Sequence, residues 1–348
     1  MILLVVVPLG VVSLIKVKGG GIMSNQEAQN WKKELGDIVK KHAGIRVNGK
    51  VASHRTKEQA AQVLMEVFQT LHGLGYKVMP QNLGDRHIRI LINEWYFNKK
   101  LKIRTVVNYL GTLRKFAVWI GKPNLVLPIG KYLPNVPVAD LKIRSMAIKS
   151  KSWGGNGLDE QEYFKKADQL DERFGCMLRA QRAFGLRLVE VLQMKPWHWD
   201  FDAYLFMPEN IGKNGRERPI QIRVQEQREV LEFIKSKIGK DGYLGWSHTK
   251  WGKPAKLRSN YQRYQYLIGK LGITKKQAGV TGHGLRAGFS EDALEGRGLV
   301  PPTRGGLPDQ MSREDERIAK SKTAQDMGHN RVNFGRSYYG SFRWPKKT

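Results

Sequence analysis

The chain has 348 residues, which at roughly 150 residues per domain is enough for two domains. Its 41% hydrophobic and 9% aromatic content excludes disorder as the global state. Sixty Lys and Arg residues against 31 Asp and Glu give a formal net charge of +29, with +16 on residues 1–150 and +13 on residues 151–348. Because both halves are this basic, we expect a clamp around one extended nucleic acid, not a membrane surface or a small phosphorylated ligand.

The N-terminal 22 residues differ from the rest of the chain. Residues 1–15 are strongly apolar, but they lack a preceding basic stretch and are short against the ~20 residues that span a bilayer. The run Lys18-Gly19-Gly20-Gly21 would be encoded by a purine-rich stretch resembling a bacterial ribosome-binding site. We therefore expect residues 1–22 to be a non-native extension, with Met23 as the true start and no membrane anchor.

The single cysteine, Cys176, restricts the compartment and the kinds of site available. One cysteine cannot form an internal disulfide or a cysteine-rich zinc site, so we expect a reducing, cytoplasmic environment. The histidines show no spacing with acidic residues typical of a metal site, and no nucleotide-binding phosphate loop is present. The sequence thus predicts neither a metal nor another cofactor.

Residues 24–121 predict an all-α domain. Apolar residues recur at helical spacing between Ala60 and Leu71, after Ser53 as a candidate helix cap, and similar stripes follow at 88–97 and 106–120. Residues 122–157 then change character, because four prolines and a Gly-Gly-Asn-Gly stretch interrupt any long helix while basic residues continue. We expect a basic linker there, with a surface loop of the second domain as the alternative.

Residues 158–348 predict a mainly helical second domain with a small β-hairpin. The helical pattern from Leu158 to Phe184 breaks at Gly185, and alternating segments at 203–208 and 218–223 flank a glycine-containing turn. Helical patterns then return at 226–238, 258–271, 283–294 and 312–327. The predicted fold class is therefore mainly α with a small β-hairpin, in two domains.

Six polar residues of this second domain stand in a suggestive order. Taken singly, each has an ordinary explanation: Arg187 can pair with Glu190, and a tyrosine near the C-terminus usually packs in a core. Their local context adds weight, since Gly185 and Leu186 precede the first arginine and Met327 and Gly328 precede the second histidine. The set is Arg187, Lys213 on the hairpin turn, His283, Arg286, His329 and Tyr338.

In order and context this set resembles the motif of the tyrosine recombinase (phage integrase) family. The resemblance covers roughly 158–340, and the basic helical first half is similar to the family's core-binding domain. It implies a two-domain DNA clamp that cuts and rejoins specific DNA sites through a 3′-phosphotyrosine, without metal or cofactor. It also implies double-stranded DNA as partner, a homo-oligomer (tetramer) on DNA, accessory DNA-bending proteins, and a bacterial mobile element or prophage acting at the nucleoid.

The resemblance assigns a role to each residue that its chemistry can explain. Tyr338 would be the nucleophile, since a phosphotyrosine ester conserves the energy of the broken bond. Arg187 and Arg286 would bind the charged non-bridging oxygens of the transition state. Lys213 would protonate the leaving 5′ oxygen, and His283 would help to take the phenol proton. His329 would donate to the phosphate, and Glu190 would orient a neighbouring basic side chain.

Two features depart from the family pattern. The stretch 295–315 is longer than the family usually has between Arg286 and His329, and we expect a surface loop near the site. Only nine residues follow Tyr339, so the C-terminal helix that many members exchange between protomers is short or absent.

Two questions remain open at the level of sequence, the identity of the nucleophile and the function itself. Tyr338 and Tyr339 are adjacent, and consecutive helical residues point about 100° apart, so only one can face a phosphate; the spacing from His329 favours Tyr338. Two other functions compete with recombination. One is a catalytically silent DNA-binding protein of the same fold, and the other is a type IB topoisomerase-like nicking enzyme.

Overall fold

The structure is a computed structural model that describes residues 25–44, 51–52, 54–143, 145–209, 211, 217–329 and 331–343. The chain divides into two units, Met1–Arg144 and Ser145–Thr348. Three predictions lie outside the described residues: the extension at 1–22, the cap at Ser53 and the hairpin turn with Lys213.

The described part of the first unit is helical. Leu64 and Phe68 pack with Leu110 and Phe116 from another helix, and all four side chains are fully buried. The rings of Phe68 and Phe116 meet edge to face, with centroids 5.7 Å apart. The helices are α1 (Asn25–His42), α2 (His54–Gly73), α3 (Asp85–Asn93), α4 (Ile103–Trp119), α5 (Ile129–Tyr132) and α6 (Val138–Leu141), with a 3₁₀ turn at Pro80–Asn82 and a π turn at Glu94–Asn98.

The segment 122–157, predicted as a linker, is mostly exposed, but a few of its apolar residues pack into the cores of the two units. Val126, Tyr132 and Leu133 are buried in the core of the first unit. Trp153 is fully buried in the core of the second unit. The physical reason is that apolar residues lie between the prolines and glycines, and some of them reach a core, whereas others such as Val138 and Ile148 stay exposed.

The second unit is mainly helical with a two-stranded antiparallel sheet, which confirms the predicted fold class. In the sheet, Leu205 lies opposite Ile220, and Met207 lies opposite Arg218. The elements are α7 (Glu160–Leu170), α8 (Glu172–Phe184), α9 (Leu188–Leu192), α10 (Pro196–Trp199), β1 (Tyr204–Met207), β2 (Arg218–Gln221), α11 (Gln225–Lys237), α12 (Leu257–Lys270), α13 (Gly284–Glu295), α14 (Arg313–Asp326) and α15 (Arg336–Tyr339), with 3₁₀ turns at Gly154–Asn156, Pro302–Arg304 and Val332–Gly335.

Helix α8 is the central helix of the second unit, since it contacts α7, α9, α11 and α13. The sequence predicted one helical stretch over 158–184, but Asp171 has an extended backbone and separates α7 from α8. Its carboxylate accepts a hydrogen bond from Phe174 N at 2.9 Å, so the residue caps α8. This cap competes with helix continuation and explains the break.

The long stretch 295–315 folds back onto the body of the second unit. Arg304 pairs with Asp292 at 2.7 Å and with Glu295 at 2.5 Å. Pro302 packs against Gly340, directly after α15. The stretch therefore contacts the end of the helix that carries Tyr338. Across the described ranges, no helix is long and apolar enough to cross a membrane.

Candidate active site

Arg187 is positioned by the sharp connection between α8 and α9. Gly185 ends α8 with φ +58°, and an added Cβ there would overlap the ring of Phe289, so both the turn and the packing require glycine. Arg187 then precedes α9, and its own N donates to Glu190 Oε2 at 2.8 Å. The guanidinium Nη1 donates to Glu190 Oε1 at 2.5 Å. The two contacts with Glu190 fix the position of Arg187, and they are the pairing that the sequence offers as the ordinary explanation for this arginine.

Arg286 lies in the first turn of α13 and is fully buried. Its Nη1 donates to Gly185 O and its Nη2 to Met327 O. Its Nε donates to Tyr338 Oη at 3.3 Å. Burial lowers the pKa of Arg286, although the neighbouring Tyr338 opposes that shift. The guanidinium therefore links the end of α8, the end of α14 and the tyrosine.

Tyr338 lies on the four-residue helix α15 and is 8% exposed. Two contacts from the segment before Trp153 hold this helix: Ala147 N donates to Arg336 O at 2.8 Å, and Lys151 Nζ donates to Ser337 O at 2.7 Å. The Arg286 guanidinium lies 5.8 Å from the centroid of the Tyr338 ring. A short helix with external anchors fixes the phenol beside the arginine.

Two histidines flank Tyr338. The His283 ring centroid lies 5.6 Å from that of Tyr338, and the His329 centroid lies 6.2 Å from it. Desolvation and the positive charges of Arg286, Arg187 and Lys151 lower the pKa of His283 to about 4. His329 stacks on Phe334, with centroids 5.0 Å apart and planes 5° apart. At neutral pH His283 is therefore uncharged and can accept a proton.

Tyr339 has a different environment from Tyr338. It is 1% exposed and packs near Phe342, with ring centroids 6.1 Å apart. Burial raises the pKa of its phenol. The Tyr339 hydroxyl is buried without a hydrogen-bond partner among the described residues, whereas the Tyr338 hydroxyl accepts a hydrogen bond from Arg286.

Five of the six predicted site residues thus come together in the second unit, and the sixth, Lys213, lies outside the described residues. The strands that lead to its turn are described, with Met207 and Arg218 as the paired residues nearest to it.

Arg218 belongs to this cluster and was missed at the level of sequence. It is 4% exposed, and its Nη2 donates to Glu190 Oε2 at 2.8 Å. Burial lowers the pKa of Arg218 to about 10, and the charge of Glu190 opposes this shift. The alternation of β2 was a usable signal, because it places Arg218 on the same buried face as Ile220.

Glu190 is buried and charged at the centre of three arginines. Its burial acts to raise its pKa, but the charges of Arg218, Arg187 and Arg286 outweigh this effect, so the pKa is lowered. A cavity of about 730 Å³ lies beside the cluster and is lined in part by Arg187, Arg218, Lys322 and His329. Three guanidiniums around one carboxylate leave excess positive charge, which suits the cavity edge to an anionic group such as a phosphate.

Comparisons with known proteins bear on both units. Residues 37–126 match the family model for the N-terminal domain of phage integrases. A lambda integrase tetramer bound to a Holliday junction is 14% identical with a TM-score of 0.56, covering 92% of this chain and 80% of that chain. A lambda integrase dimer bound to a COC′ core site is 14% identical with a TM-score of 0.55, covering 94% and 85%.

The integrase of transposon Tn1549, in complex with circular intermediate DNA, is 13% identical with a TM-score of 0.53, covering 88% of this chain and 95% of that chain. No curated protein sequence matches this chain. At these identities the structural similarity establishes a common fold.

Proposed function

We infer, from the phage integrase match at residues 37–126 and the lambda integrase fold, that this chain is a member of the tyrosine recombinase family. On that premise we propose that it is a site-specific DNA recombinase that integrates or excises a mobile element. The observation that carries the proposal is the hydrogen bond from Arg286 Nε to Tyr338 Oη, with Arg187, His283 and His329 gathered around it.

In this proposal Tyr338 Oη attacks the phosphorus of one DNA strand. The new O–P bond forms while the P–O5′ bond breaks, which leaves a 3′-phosphotyrosine and a free 5′ hydroxyl. No water enters the reaction, so the energy of the phosphodiester is kept for rejoining. The reverse attack by a 5′ hydroxyl of another strand completes the exchange.

Arg187 and Arg286 stabilise the charge that develops on the non-bridging oxygens. Their Nη2 atoms both donate to Met327 O. A phosphate oxygen carries more negative charge than a carbonyl and forms stronger hydrogen bonds with guanidinium groups. We therefore expect the phosphate to take over donors that now bind this carbonyl.

Proton transfer at the nucleophile is the role of His283. A histidine with a pKa of about 4 is neutral at pH 7 and can accept the phenol proton, although it is a weak base. The phosphate of bound DNA adds negative charge beside the ring, which raises this pKa and strengthens the base when substrate is present. Lys213 supplies the proton of the departing 5′ oxygen.

The partner in this proposal is double-stranded DNA, bound by a tetramer and assisted by DNA-bending proteins. The net charge of +29 supports a DNA partner, since neutralising phosphates releases counterions along the contact. The solved lambda integrase structures with the same fold include a tetramer on a Holliday junction, which supports the oligomer.

A covalent-capture experiment separates this function from its alternatives. The full chain is incubated with sheared DNA of its source organism, the mixture is denatured, and DNA attached to protein is sequenced. A recombinase gives adducts at a common sequence, and oligonucleotides with that sequence then serve as substrates. Adducts without a common sequence indicate a topoisomerase-like nicking enzyme, and no adducts indicate a silent binder; either result contradicts the proposal.

A further inference from the structure

Arg218 carries a guanidinium that its surroundings do not fully use. Its Nη2 binds Glu190 Oε2 at 2.8 Å, but within the described parts of the chain Nε and Nη1 are buried without a hydrogen-bond acceptor. A buried cation with unused donors is costly, so its retention calls for a gain elsewhere. The residue lines the same cavity as Arg187 and His329.

The contact partner of Arg218 is also the partner of Arg187. Glu190 receives Arg187 Nη1 on Oε1 at 2.5 Å and Arg218 Nη2 on Oε2 at 2.8 Å. The side chain of Glu190 is 1% exposed, so water does not screen its charge. One carboxylate is therefore divided between two guanidiniums.

Without Arg218, the charges of Glu190 and Arg187 would cancel as a closed pair. A neutral pair attracts a phosphate less than a cation does, and breaking it to bind phosphate would leave the buried carboxylate without a cation in contact with it. With Arg218 present, Glu190 keeps a counter-charge while Arg187 turns toward the phosphate. With Arg218 in place, Glu190 does not cancel the positive charge that Arg187 presents to the phosphate.

The packing of Arg218 ties it to the turn that carries the other site groups. Gly328 has φ +64°, and an added Cβ there would overlap Arg218 Nη1. The neighbouring Met327 O is the acceptor shared by Arg187 and Arg286, and His329 follows. Arg218 thus lies directly against the 327–329 turn.

We propose that Arg218 is a positioning residue of this site, which holds the counter-charge of Glu190 so that Arg187 stays available to the scissile phosphate. This inference rests on the proposed function and extends its phosphate site by a third arginine. Arg218 acts through Glu190 and Arg187 and need not touch the DNA itself.

The test uses the full chain and an oligonucleotide bearing the sequence found by covalent capture. In Arg218→Gln, we expect the single-turnover rate of adduct formation to fall by about tenfold or more, while DNA affinity changes by less than about threefold. Arg218→Lys keeps the charge and can still donate to Glu190, so it should recover part of the rate. Arg179→Gln is the matched control, because Arg179 pairs with Asp168 at 2.7 Å outside the cluster and is 15% exposed.

A second substitution distinguishes charge balance from a structural role. Glu190→Gln removes the charge that would trap Arg187, so the double variant Arg218→Gln/Glu190→Gln should cleave faster than Arg218→Gln alone. A merely structural Arg218 gives a double variant that is equally slow or slower, because a second native contact is lost. Thermal unfolding of each variant shows whether it is folded.

A neutral substrate gives an independent readout. A methylphosphonate at the scissile position removes one oxygen charge, so the deficit of Arg218→Gln relative to the unsubstituted chain should shrink. An unchanged deficit on both substrates, a slow double variant, or wild-type cleavage by Arg218→Gln overturns the inference while the proposed function stands. No adduct from the unsubstituted chain overturns both.

Discussion

Arg187 and Arg286 donate to the same oxygen: each directs its Nη2 atom to the carbonyl of Met327. The two arginines precede or begin different helices, so the convergence results from tertiary packing. Met327 O marks a point that both guanidiniums reach at once, so one phosphate oxygen at that point would accept a hydrogen bond from each of them.

Loss of either arginine should slow cleavage much more than it weakens DNA binding. Arg187→Ala or Arg286→Lys should lower the rate of adduct formation by about a hundredfold or more, because each removes donors that stabilise transition-state charge. DNA binding, measured by gel shift, should stay nearly intact. A parallel loss of binding and cleavage would instead mean that these arginines only hold the fold.

Gly328→Ala should damage the site beyond its effect on the backbone. The methyl group would overlap Arg218 Nη1, and the residue has φ +64°. Gly272→Ala is the control, since Gly272 has φ +81° with no atom within 4 Å of an added Cβ. Both variants should lose about 1 kcal/mol of stability from the backbone. Only Gly328→Ala should also slow cleavage, and equal cleavage rates in the two variants would contradict the packing described here.

His283 should make stability depend on pH in a definite direction. Its pKa is about 4 in the folded chain and near 6.5 in an unfolded one, so between these values the unfolded chain binds more protons. Its contribution therefore falls as the pH drops from 6.5 toward 4. Urea unfolding across this window should show a smaller pH slope in His283→Gln than in the unsubstituted chain. Identical slopes would show that His283 is not held neutral.

A substrate with a better leaving group should make the proton from Lys213 unnecessary. A substrate with sulfur at the 5′ leaving position needs no proton, so it should restore cleavage by Lys213→Ala. Rescue should not extend to Arg187→Ala, whose defect lies in charge stabilisation. Equal rescue of both variants, or none for Lys213→Ala, would remove Lys213 from the role of general acid.

The sequence predicted the elements that periodicity encodes. The alternation at 203–208 and 218–223 gave the β-hairpin, and the structure pairs Tyr204–Met207 with Arg218–Gln221. Helix caps and contacts between distant parts of the chain were harder to predict. The cap formed by Asp171 interrupts a continuous apolar pattern, and Trp153 is drawn into a core from a segment rich in glycine and proline.

The site residues were predictable to the extent that their order resembles a family motif. Arg187, His283, Arg286, His329 and Tyr338 follow that order, and the fold brings them together. Arg218 is not one of the six residues of the motif, and its proposed role depends on its contact with Glu190, which only the structure shows. The role of the Met327 carbonyl as a shared acceptor could not be predicted either, because every residue has a backbone carbonyl and the residue type does not indicate its partners.

The most direct test of the account is to identify the residue that carries the DNA. A nicked substrate of the captured sequence traps the covalent complex, and mass spectrometry of the digested protein locates the attached nucleotide. We predict that it is on Tyr338, that Tyr338→Phe binds DNA without forming an adduct, and that Tyr339→Phe still forms one. Attachment to Tyr339 would contradict the assignment of the nucleophile, and a chain with no nucleotide on either tyrosine would contradict the recombinase function itself.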